Sequence, residues 1–330
     1  MSDNLVEVKN LTKVFPIKQG LFSGHFGKPK QFVHAVNNVS FHIKQGEVFS
    51  LVGESGCGKS TTARTIIRLH DPDGGSIHFG GVDITHLGEK EMYPFRRRMQ
   101  MIFQNPYSSL NPRYTIRNII SEPILFHKLA ANKKEADEKA LEILNNIGLR
   151  PEQADRYPHQ FSGGQRQRIS IARALALNPE FIIADEPVSA LDVSIQAQIL
   201  NLLLDIKDEY NLSYLFIAHN LAVVKHISDR VGIMYLGHIV EVGNKNTIFK
   251  HPLHPYTNAL FASIPVLGQK MKDPAITGDT PSTPIDLPSG CCFRKRCAFA
   301  QKICAEVVPE LKEYEPGHQA ACHFVEKGGC

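Results

Sequence analysis

One nine-residue stretch, GESGCGKST at residues 53–61, constrains the fold of this chain more than any other feature. It fits the pattern G-x-x-x-x-G-K-[ST], with Gly53, Gly58, Lys59 and Ser60 at the fixed positions. The preceding residues, EVFSLV, indicate a strand, and the following ones, TARTIIRL, indicate a helix. A strand, a glycine-rich turn and a helix in this order predict a phosphate-binding loop.

The residue types of this loop suit a nucleoside triphosphate. Gly56 and Gly58 allow backbone N–H groups to turn toward phosphate in conformations that a Cβ atom would obstruct. Lys59 is expected to reach the β- and γ-phosphates, and the Ser60 hydroxyl to bind Mg²⁺. A chance glycine-rich turn does not account for the strand, lysine, hydroxyl and helix together. The predicted nucleotide-binding residues of the loop are Gly53, Glu54, Ser55, Gly56, Cys57, Gly58, Lys59, Ser60 and Thr61.

Composition excludes some classes of protein. Lysine and arginine number 37 against 33 acidic residues, a net charge of +4 that is too small to predict nucleic acid as the main partner. No apolar run approaches the ~18 residues that cross a bilayer, and the N-terminus, MSDNLVEVKN, lacks a signal-peptide pattern. We therefore expect a soluble chain that stays in the compartment where it is made.

Strand-like and helix-like stretches alternate over residues 1–245, which predicts an α/β domain. LVEVKNLTKVF and HAVNNVSFHI indicate early strands, and residues 115–178 indicate a largely helical stretch. PEFIIA (179–184) and SYLFIA (213–218) have the continuous apolar character of buried parallel strands. Ligands bind at the carboxyl ends of such strands, so the residues that follow them are candidates for chemistry.

Those strand ends carry two carboxylates and a histidine. In FIIADEP, Asp185 is placed to hold Mg²⁺ through water, and Glu186 to polarise the water that attacks the γ-phosphate. The alternative is that both only cap a helix beginning at Pro187. In SYLFIAHN, His219 is placed to hydrogen-bond the γ-phosphate and Glu186, although a lone histidine is more often structural.

A second glycine-rich stretch, FSGGQRQRISIARAL at 161–175, identifies the family. Ser162, Gly163 and Gly164 form another phosphate-facing loop at a helix start, and one ATP does not need two such loops. The stretch resembles the signature motif of ATP-binding cassette (ABC) ATPases, in which this loop closes on the γ-phosphate held by the opposite subunit. The resemblance covers roughly residues 5–245, and it also assigns Gln165 to the nucleotide.

The resemblance implies a P-loop ABC-type nucleotide-binding domain with a RecA-like core and a helical subdomain at about 105–178. Gln104 in MIFQNP matches the glutamine that senses Mg²⁺ and attacking water and links the site to a transmembrane partner. Asp192 in SALD matches the loop at the dimer interface, and Phe15 in LTKVF matches the aromatic that stacks on adenine. Residues 16–32 look inserted after Phe15. The implied catalytic residues are Glu186, His219 and Gln104, and the implied Mg²⁺ ligands are Ser60, Gln104 and Asp185.

Three non-transport classes fit the sequence less well than transport. Cassette ATPases of chromosome maintenance and DNA repair carry long coiled-coil insertions, and no heptad run separates Gln104 from the signature stretch here. Translation factors of the class usually carry two cassettes in one chain. Non-catalytic modules tend to lose the hydrolytic glutamate or histidine, and both are present. Transport then requires separate permease subunits.

The tail, residues 246–330, resembles the C-terminal extension of bacterial oligopeptide and dipeptide importer ATPases. The resemblance rests on HPLHPYTNAL (251–260), PSGCCFRKRCAFAQKIC (288–304) and GHQAACH (317–323). It implies a peptide importer at the cytoplasmic face of the cell membrane, although relatives that handle nickel or other solutes share much of this tail. The implied partners are a paralogous ATPase, two permease subunits and an extracytoplasmic peptide-binding protein; a homodimer remains an alternative.

Six of the seven cysteines follow residue 290, and Cys291, Cys297, Cys304 and Cys322 have the spacing C-x₅-C-x₆-C-x₁₇-C. Without a signal peptide, a disulfide framework is not expected. Zinc, with His318 or His323 as alternate ligands, usually takes C-x₂₋₄-C pairs, which are absent here. The resemblance implies a structural [4Fe–4S] cluster on the four cysteines, anchoring the tail against the partner ATPase; free thiols are the third alternative. Cys292 and Cys330 fall outside the resemblance, and Cys57 is expected to be a packing residue.

Overall fold

The computed structural model describes residues 4–17, 31–262, 285 and 287–325. Residues 18–30, which form most of the expected insertion after Phe15, lie outside the described residues, as does Cys330. The described residues form two compact units. The first comprises residues of Met1–Ile43, Phe49–His86 and Ala218–Cys330, and the second comprises Lys44–Val48 and Leu87–Ile217.

The strands and helices follow one another in an α/β order. The strands are β1 (Asn4–Pro16), β2 (Phe32–Lys44), β3 (Val48–Val52), β4 (Gly74–Phe79), β5 (Val82–Asp83), β6 (Met99–Ile102), β7 (Phe181–Asp185), β8 (Ser213–Ala218), β9 (Arg230–Tyr235), β10 (His238–Asn244), β11 (Lys312–Glu315) and β12 (His318–Ala320). The helices are α1 (Lys59–Ile66), α2 (Glu89–Arg98), α3 (Pro106–Ser109), α4 (Ile116–Phe126), α5 (Lys133–Asn146), α6 (Gly163–Leu175), α7 (Val193–Tyr210), α8 (Leu221–Ile227), α9 (Lys245–Lys250), α10 (Pro255–Ala262) and α11 (Ile303–Glu306).

The first unit contains two sheets. In one, the strand order is β2-β1-β4-β5, and β1 pairs antiparallel with β4. In the other, the order runs β11-β12-β10-β9-β3, and β3 is parallel to β9 with Leu51 opposite Gly232. Every residue of β3 is buried, as expected for a parallel strand covered on both faces. The phosphate loop and α1 follow directly from this strand.

The second unit has a parallel arrangement of β8, β7 and β6, in which Ile182 lies opposite both Gln100 and Tyr214. All residues of β7 and β8 are buried, which explains their continuous apolar sequences. Between residues 105 and 178 the elements are α3 to α6 and two 3-10 turns, Pro151–Gln153 and Pro158–Gln160. This stretch is helical, as the sequence pattern predicts.

The tail is more structured than the sequence suggested. Strands β11 and β12 extend a sheet of the first unit, because β12 pairs antiparallel with β10. Beneath them, Glu241 and His318 are both fully buried, and the His318 Nε2 lies 2.7 Å from the Glu241 Oε1. Phe293 packs against Tyr235 and Tyr256 with ring centroids 5.3 and 5.5 Å away. The tail therefore contains buried side chains and strand pairs that no pattern in its sequence predicted.

Among the described residues, no helix combines the length and the apolar character that crossing a membrane requires.

Candidate nucleotide-binding and hydrolysis site

The phosphate loop needs glycine at two positions for different reasons. Gly58 has a φ of +109°, a conformation that side-chain-bearing residues rarely adopt, and a Cβ there would lie 2.1 Å from the Ala35 carbonyl oxygen. Gly53 has ordinary φ, but its Cβ would lie 2.1 Å from the Met234 carbonyl oxygen. The loop is therefore held against β9 and β2 by contacts that only glycine allows.

Lys59 begins α1 and is buried within the loop. Its Nζ donates hydrogen bonds to the carbonyl oxygens of Gly53 and Glu54, at 2.8 and 2.9 Å. The N-terminal turn of α1 also contains Ser60 and Thr61, so backbone N–H groups and the positive end of the helix dipole lie at the same loop. This arrangement suits an anion such as a phosphate group.

Cys57 lies in the same loop and is only 4% exposed. Burial raises the pKa of its thiol, and the nearby Lys59 only partly offsets this effect. The Lys59 Nζ is 3.6 Å from the Cys57 Sγ. A buried thiol kept neutral is a packing group, in line with the expectation from the sequence.

Two other predicted residues belong to the first unit. Phe15 lies on β1, with its ring edge-on to His70 at 5.4 Å between centroids and the Lys13 Nζ 5.3 Å from its centre. The Phe15 ring is half-buried, so part of it is accessible for stacking. His219 directly follows β8 and is exposed, at the strand end where the sequence placed it.

In the second unit, Asp185 and Glu186 occupy the end of β7. Asp185 is the last residue of the strand and is fully buried. Glu186 has a φ of +47°, which is strained for a non-glycine residue, and its N–H donates to the Ile217 carbonyl at 3.0 Å. Residues 187–190 form a turn, so the alternative of a helix beginning at Pro187 is wrong.

Gln104 and Glu186 lie together although 82 residues separate them in sequence. The Gln104 Nε2 donates a hydrogen bond of 2.9 Å to the Glu186 Oε2, and Gln104 is exposed. The structure thus joins two residues predicted to act on the attacking water. A side-chain amide bonded to this carboxylate can fix its orientation and respond to a ligand at the same place.

The signature stretch begins α6 with a capping box. The Ser162 Oγ accepts from the Gln165 N–H at 3.4 Å, and the Gln165 Oε1 accepts from the Ser162 N–H at 3.0 Å. A Cβ on Gly163 would lie 3.4 Å from Leu191, and one on Gly164 would lie 2.5 Å from Ile195. The signature loop and the SALD turn are therefore neighbours, and Asp192, which is exposed, begins α7.

The arginines of α6 do not point toward a phosphate at the helix start. Arg166 donates to the Pro158 carbonyl at 2.7 Å, and its guanidinium lies 3.9 Å from the centre of the Tyr107 ring. Arg168 donates to the Ile147 carbonyl, also at 2.7 Å. Both side chains therefore bond to carbonyl groups within the second unit.

Sequence reasoning missed two residues that contact the phosphate loop. Arg296 and Tyr256 of the tail both contact Glu54, the second residue of the loop. The signal available in the sequence was the acidic Glu54 beside the predicted triphosphate site, because a carboxylate at that place requires a neighbouring cation. The sequence offered no means of choosing which arginine supplies it.

The four predicted cluster cysteines, Cys291, Cys297, Cys304 and Cys322, line one cavity of about 20 Å³. Cys291 and Cys304 are buried, the other two are half-buried, and all four are free thiols. In the described part of the chain, no three His, Cys, Asp or Glu side chains are grouped closely enough to hold one metal ion. The cysteines thus share a cavity without converging on a single point.

Comparison with known proteins places this chain among well-characterised relatives. Residues 36–189 match the ABC transporter family, and residues 240–304 match the family described as oligopeptide/dipeptide transporter, C-terminal region. The chain is 52% identical to the oligopeptide transport ATP-binding protein AppF of Bacillus subtilis, covering 98% of each chain. It is 44% identical to the dipeptide transport ATP-binding protein DppF of Escherichia coli, covering 98% of this chain and 95% of that one.

A solved structure shares the fold. It is a dimeric ATP-binding cassette in a post-hydrolysis state with bound ADP and Pi, 31% identical, with a TM-score of 0.63 over 73% of this chain and 98% of that one. Fold, phosphate loop, signature and the paired Gln104 and Glu186 define an ATP-hydrolysing cassette, so the protein is an ATPase. The chain belongs to the ATP-binding cassette transporter family, among the oligopeptide and dipeptide transport ATP-binding proteins. Both resemblances seen in the sequence are confirmed.

Proposed function

We propose that this protein is the ATP-hydrolysing subunit of a membrane importer of di- and oligopeptides. The observation that carries the proposal is the tail, because residues 240–304 match the family described as oligopeptide/dipeptide transporter, C-terminal region. Relatives named for oligopeptide and dipeptide transport match over nearly the whole chain. The signature and the phosphate loop alone would serve any ABC transporter.

Hydrolysis is assigned to the residues that the sequence singled out. Lys59 and the loop backbone bind the β- and γ-phosphates, and Phe15 stacks on adenine. Glu186 orients and polarises the attacking water, and Gln104 holds the Glu186 carboxylate in position. His219 is assigned to the γ-phosphate. The strained backbone of Glu186 supports its role, because strain of this kind concentrates at functional sites.

Magnesium is assigned to Ser60, Gln104 and Asp185. A hydroxyl, an amide oxygen and a carboxylate are the oxygen donors that Mg²⁺ prefers, so the residue types fit this ion. When bound, Mg²⁺ neutralises charge that develops on the phosphates during hydrolysis. Asp185 is held rigidly by the buried β7, which suits a ligand of fixed direction.

Two ATPase subunits are needed to complete each ATP site. Ser162, Gly163, Gly164 and Gln165 are assigned to the γ-phosphate of a partner subunit, with Asp192 at the interface between the two. The exposed position of Ser162 at the start of α6 supports this, because its groups are accessible to another chain. The proposed partner is a paralogous ATPase. The dimer acts beneath two permease subunits, and an extracytoplasmic peptide-binding protein delivers peptide to these permeases.

The proposed domain division is a nucleotide-binding domain at 1–245, with its helical subdomain at about 105–178, and an extension at 246–330. The ABC transporter match ends at residue 189, and the match to the C-terminal region begins at residue 240. These limits support a boundary near residue 245. We assign the protein to the cytoplasmic face of the cell membrane, because ATP is a cytoplasmic substrate and the permeases span the bilayer.

The cysteine cavity is assigned to a [4Fe–4S] cluster with a structural role. Each of the four irons takes one thiolate, so the cysteines need to surround a cavity and do not need to converge on one atom. The observation that supports this assignment is the one cavity that Cys291, Cys297, Cys304 and Cys322 line together.

Uptake and stimulated ATPase activity test the proposal. A tag on this chain is used to purify the intact transporter, which is then reconstituted with its binding protein in liposomes. We expect ATP turnover to rise when the binding protein is loaded with a di- or oligopeptide, and labelled peptide to accumulate inside. Stimulation by Ni²⁺ with no response to peptides would contradict the peptide assignment, and purification without permease subunits would contradict the transport assignment.

A further inference from the structure

The second residue of the phosphate loop, Glu54, is held by an arginine of the tail. The Arg296 Nη1 lies 2.9 Å from the Glu54 Oε2, and the Arg296 Nη2 lies 3.0 Å from the Glu54 Oε1. Two parallel hydrogen bonds of this kind fix both the distance and the direction of a carboxylate. The Arg296 side chain is 7% exposed and that of Glu54 is 27% exposed, so the pair is largely shielded from water.

Arg296 is itself fixed in place. Its guanidinium lies 5.7 Å from the centre of the Tyr235 ring and 5.9 Å from that of Phe293, both of which are buried. The Arg296 Nη1 is also 3.4 Å from the Tyr235 hydroxyl. A cation held between aromatic rings and a carboxylate has little freedom to move. The position of Glu54 is therefore set by the folded tail.

A second tail residue supports the same point of the loop. The Glu54 N–H donates a hydrogen bond of 3.0 Å to the hydroxyl of Tyr256, which lies on α10 and is fully buried. The Tyr256 N–H in turn donates to the His254 Nδ1 at 3.0 Å. The backbone and the side chain of Glu54 are thus held by separate elements of the tail.

The charge of this pair matters as much as its geometry. Glu54 is adjacent to Gly53, whose carbonyl contacts Lys59, so its carboxylate lies in the loop that binds a triphosphate. An uncompensated carboxylate there would repel the anionic ligand and would attract Lys59 away from it. Arg296 neutralises the carboxylate and keeps it directed toward the tail.

We infer that Arg296 is a positioning residue of the ATP site, which makes the tail a working part of nucleotide binding. This inference rests on the proposed function, since it assigns a role in binding ATP. It goes further, because it gives the C-terminal extension a task at the phosphate loop. The tail is then required for ATP affinity as well as for any contact with a partner.

The test is the affinity of the full-length chain for a slowly hydrolysed ATP analogue with Mg²⁺, measured by calorimetry. We expect Arg296→Gln to raise the dissociation constant roughly tenfold, since a charge-assisted hydrogen-bonding partner is lost. Arg296→Lys keeps the charge without the fork, so its affinity should be intermediate. Lys295→Gln, an exposed neighbour with the same charge, is the matched control and should bind like the wild type.

A double variant separates this role from a general effect on folding. In the Arg296→Gln variant the charge of the Glu54 carboxylate is not neutralised. Adding Glu54→Gln removes that charge, so the double variant should bind the ATP analogue at least about threefold more tightly than Arg296→Gln alone. Loss of affinity without such recovery would mean that Arg296 only stabilises the tail, and would overturn the inference. Equal binding by the wild type and Arg296→Gln would also overturn it, while leaving the proposed function intact. A wild-type chain that does not bind ATP would overturn both.

Discussion

Glu186 shows how one residue is prepared for a reaction by its backbone. Its φ of +47° is maintained because β7 ends at the preceding residue and the Glu186 N–H bonds to the Ile217 carbonyl on β8. Such a conformation costs on the order of 1–3 kcal/mol, which the surrounding sheet must offset. This backbone conformation directs the Glu186 carboxylate to the Gln104 amide, and the carboxylate does not cap a helix.

Substitution of Glu186 tests the water-activating role. Glu186→Gln keeps the shape and the capacity to contact Gln104, but it removes the charge that polarises water. We expect ATP affinity to be retained and turnover in the assembled transporter to fall by ~10²-fold or more. Glu209→Gln on the exposed end of α7 serves as the control. Near-normal turnover in Glu186→Gln would refute the assignment.

Local sterics explain which residues the sequence could predict. The glycines of the phosphate loop are recognisable because backbone conformation and close approach demand them within a few residues. Arg296 was not predictable, because it contacts Glu54 across 242 residues and its neighbours are brought together only by the folded tail. Gln104 was assigned only through the family resemblance, and its contact with Glu186 was not predicted, since no local pattern links these two positions.

Helix α6 depends on the same serine that faces the expected partner. Ser162 caps the helix with Gln165, so the signature loop has a defined shape before any nucleotide arrives. Gly164 fits against Ile195, where a larger residue would displace that side chain. The signature loop therefore packs closely against the start of α7.

Ser162→Arg tests whether this surface completes a site on another subunit. A bulky cation at the helix start should block closure, so turnover in the assembled transporter should be lost at the site whose phosphate loop belongs to the partner. ATP binding to the isolated variant chain should persist. Ser162→Ala removes the cap, at a cost of about 1 kcal/mol, without adding a cation, so it is the control for a loss of folding stability. Loss of ATP binding by the isolated Ser162→Arg chain would contradict the split site.

The predictability of the strands follows from their environment. Strands β7 and β8 were recognisable because burial on both faces leaves continuous apolar runs. Strands β11 and β12, with the sequences KEYE and HQA, are short and polar and carry no such pattern. They form because β12 pairs with β10 and because His318 reaches the buried Glu241, and both contacts are distant in sequence.

At the scale of the whole molecule, the cysteine cavity is the feature whose occupant decides how the tail is stabilised. Cys297→Ser removes one proposed iron ligand, so we expect the anaerobically purified protein to lose most of its iron and sulfide and its visible absorption. Cys292→Ser changes the thiol beside Cys291 without removing a proposed ligand and should keep the iron. A colourless wild-type protein with stoichiometric zinc and no iron would refute the cluster.

Partners and substrate lay beyond what local patterns could supply. Residue types and spacing predicted ATP chemistry because phosphate binding has few structural solutions. The peptide substrate was indicated only by the family resemblance of the tail. The choice between a homodimer and the proposed paralogous partner depends on complementarity between two surfaces, which one sequence does not encode.

The Glu54–Arg296 pair also has a consequence for how the protein is made. A ribosome synthesises Glu54 early and Arg296 242 residues later. At about 5 to 20 residues per second, the interval is roughly 10 to 50 s. Throughout that time the phosphate loop of the nascent chain lacks the Arg296 guanidinium that pairs with Glu54. If Arg296 has the inferred role, a nascent chain acquires its mature affinity for ATP only near the end of translation.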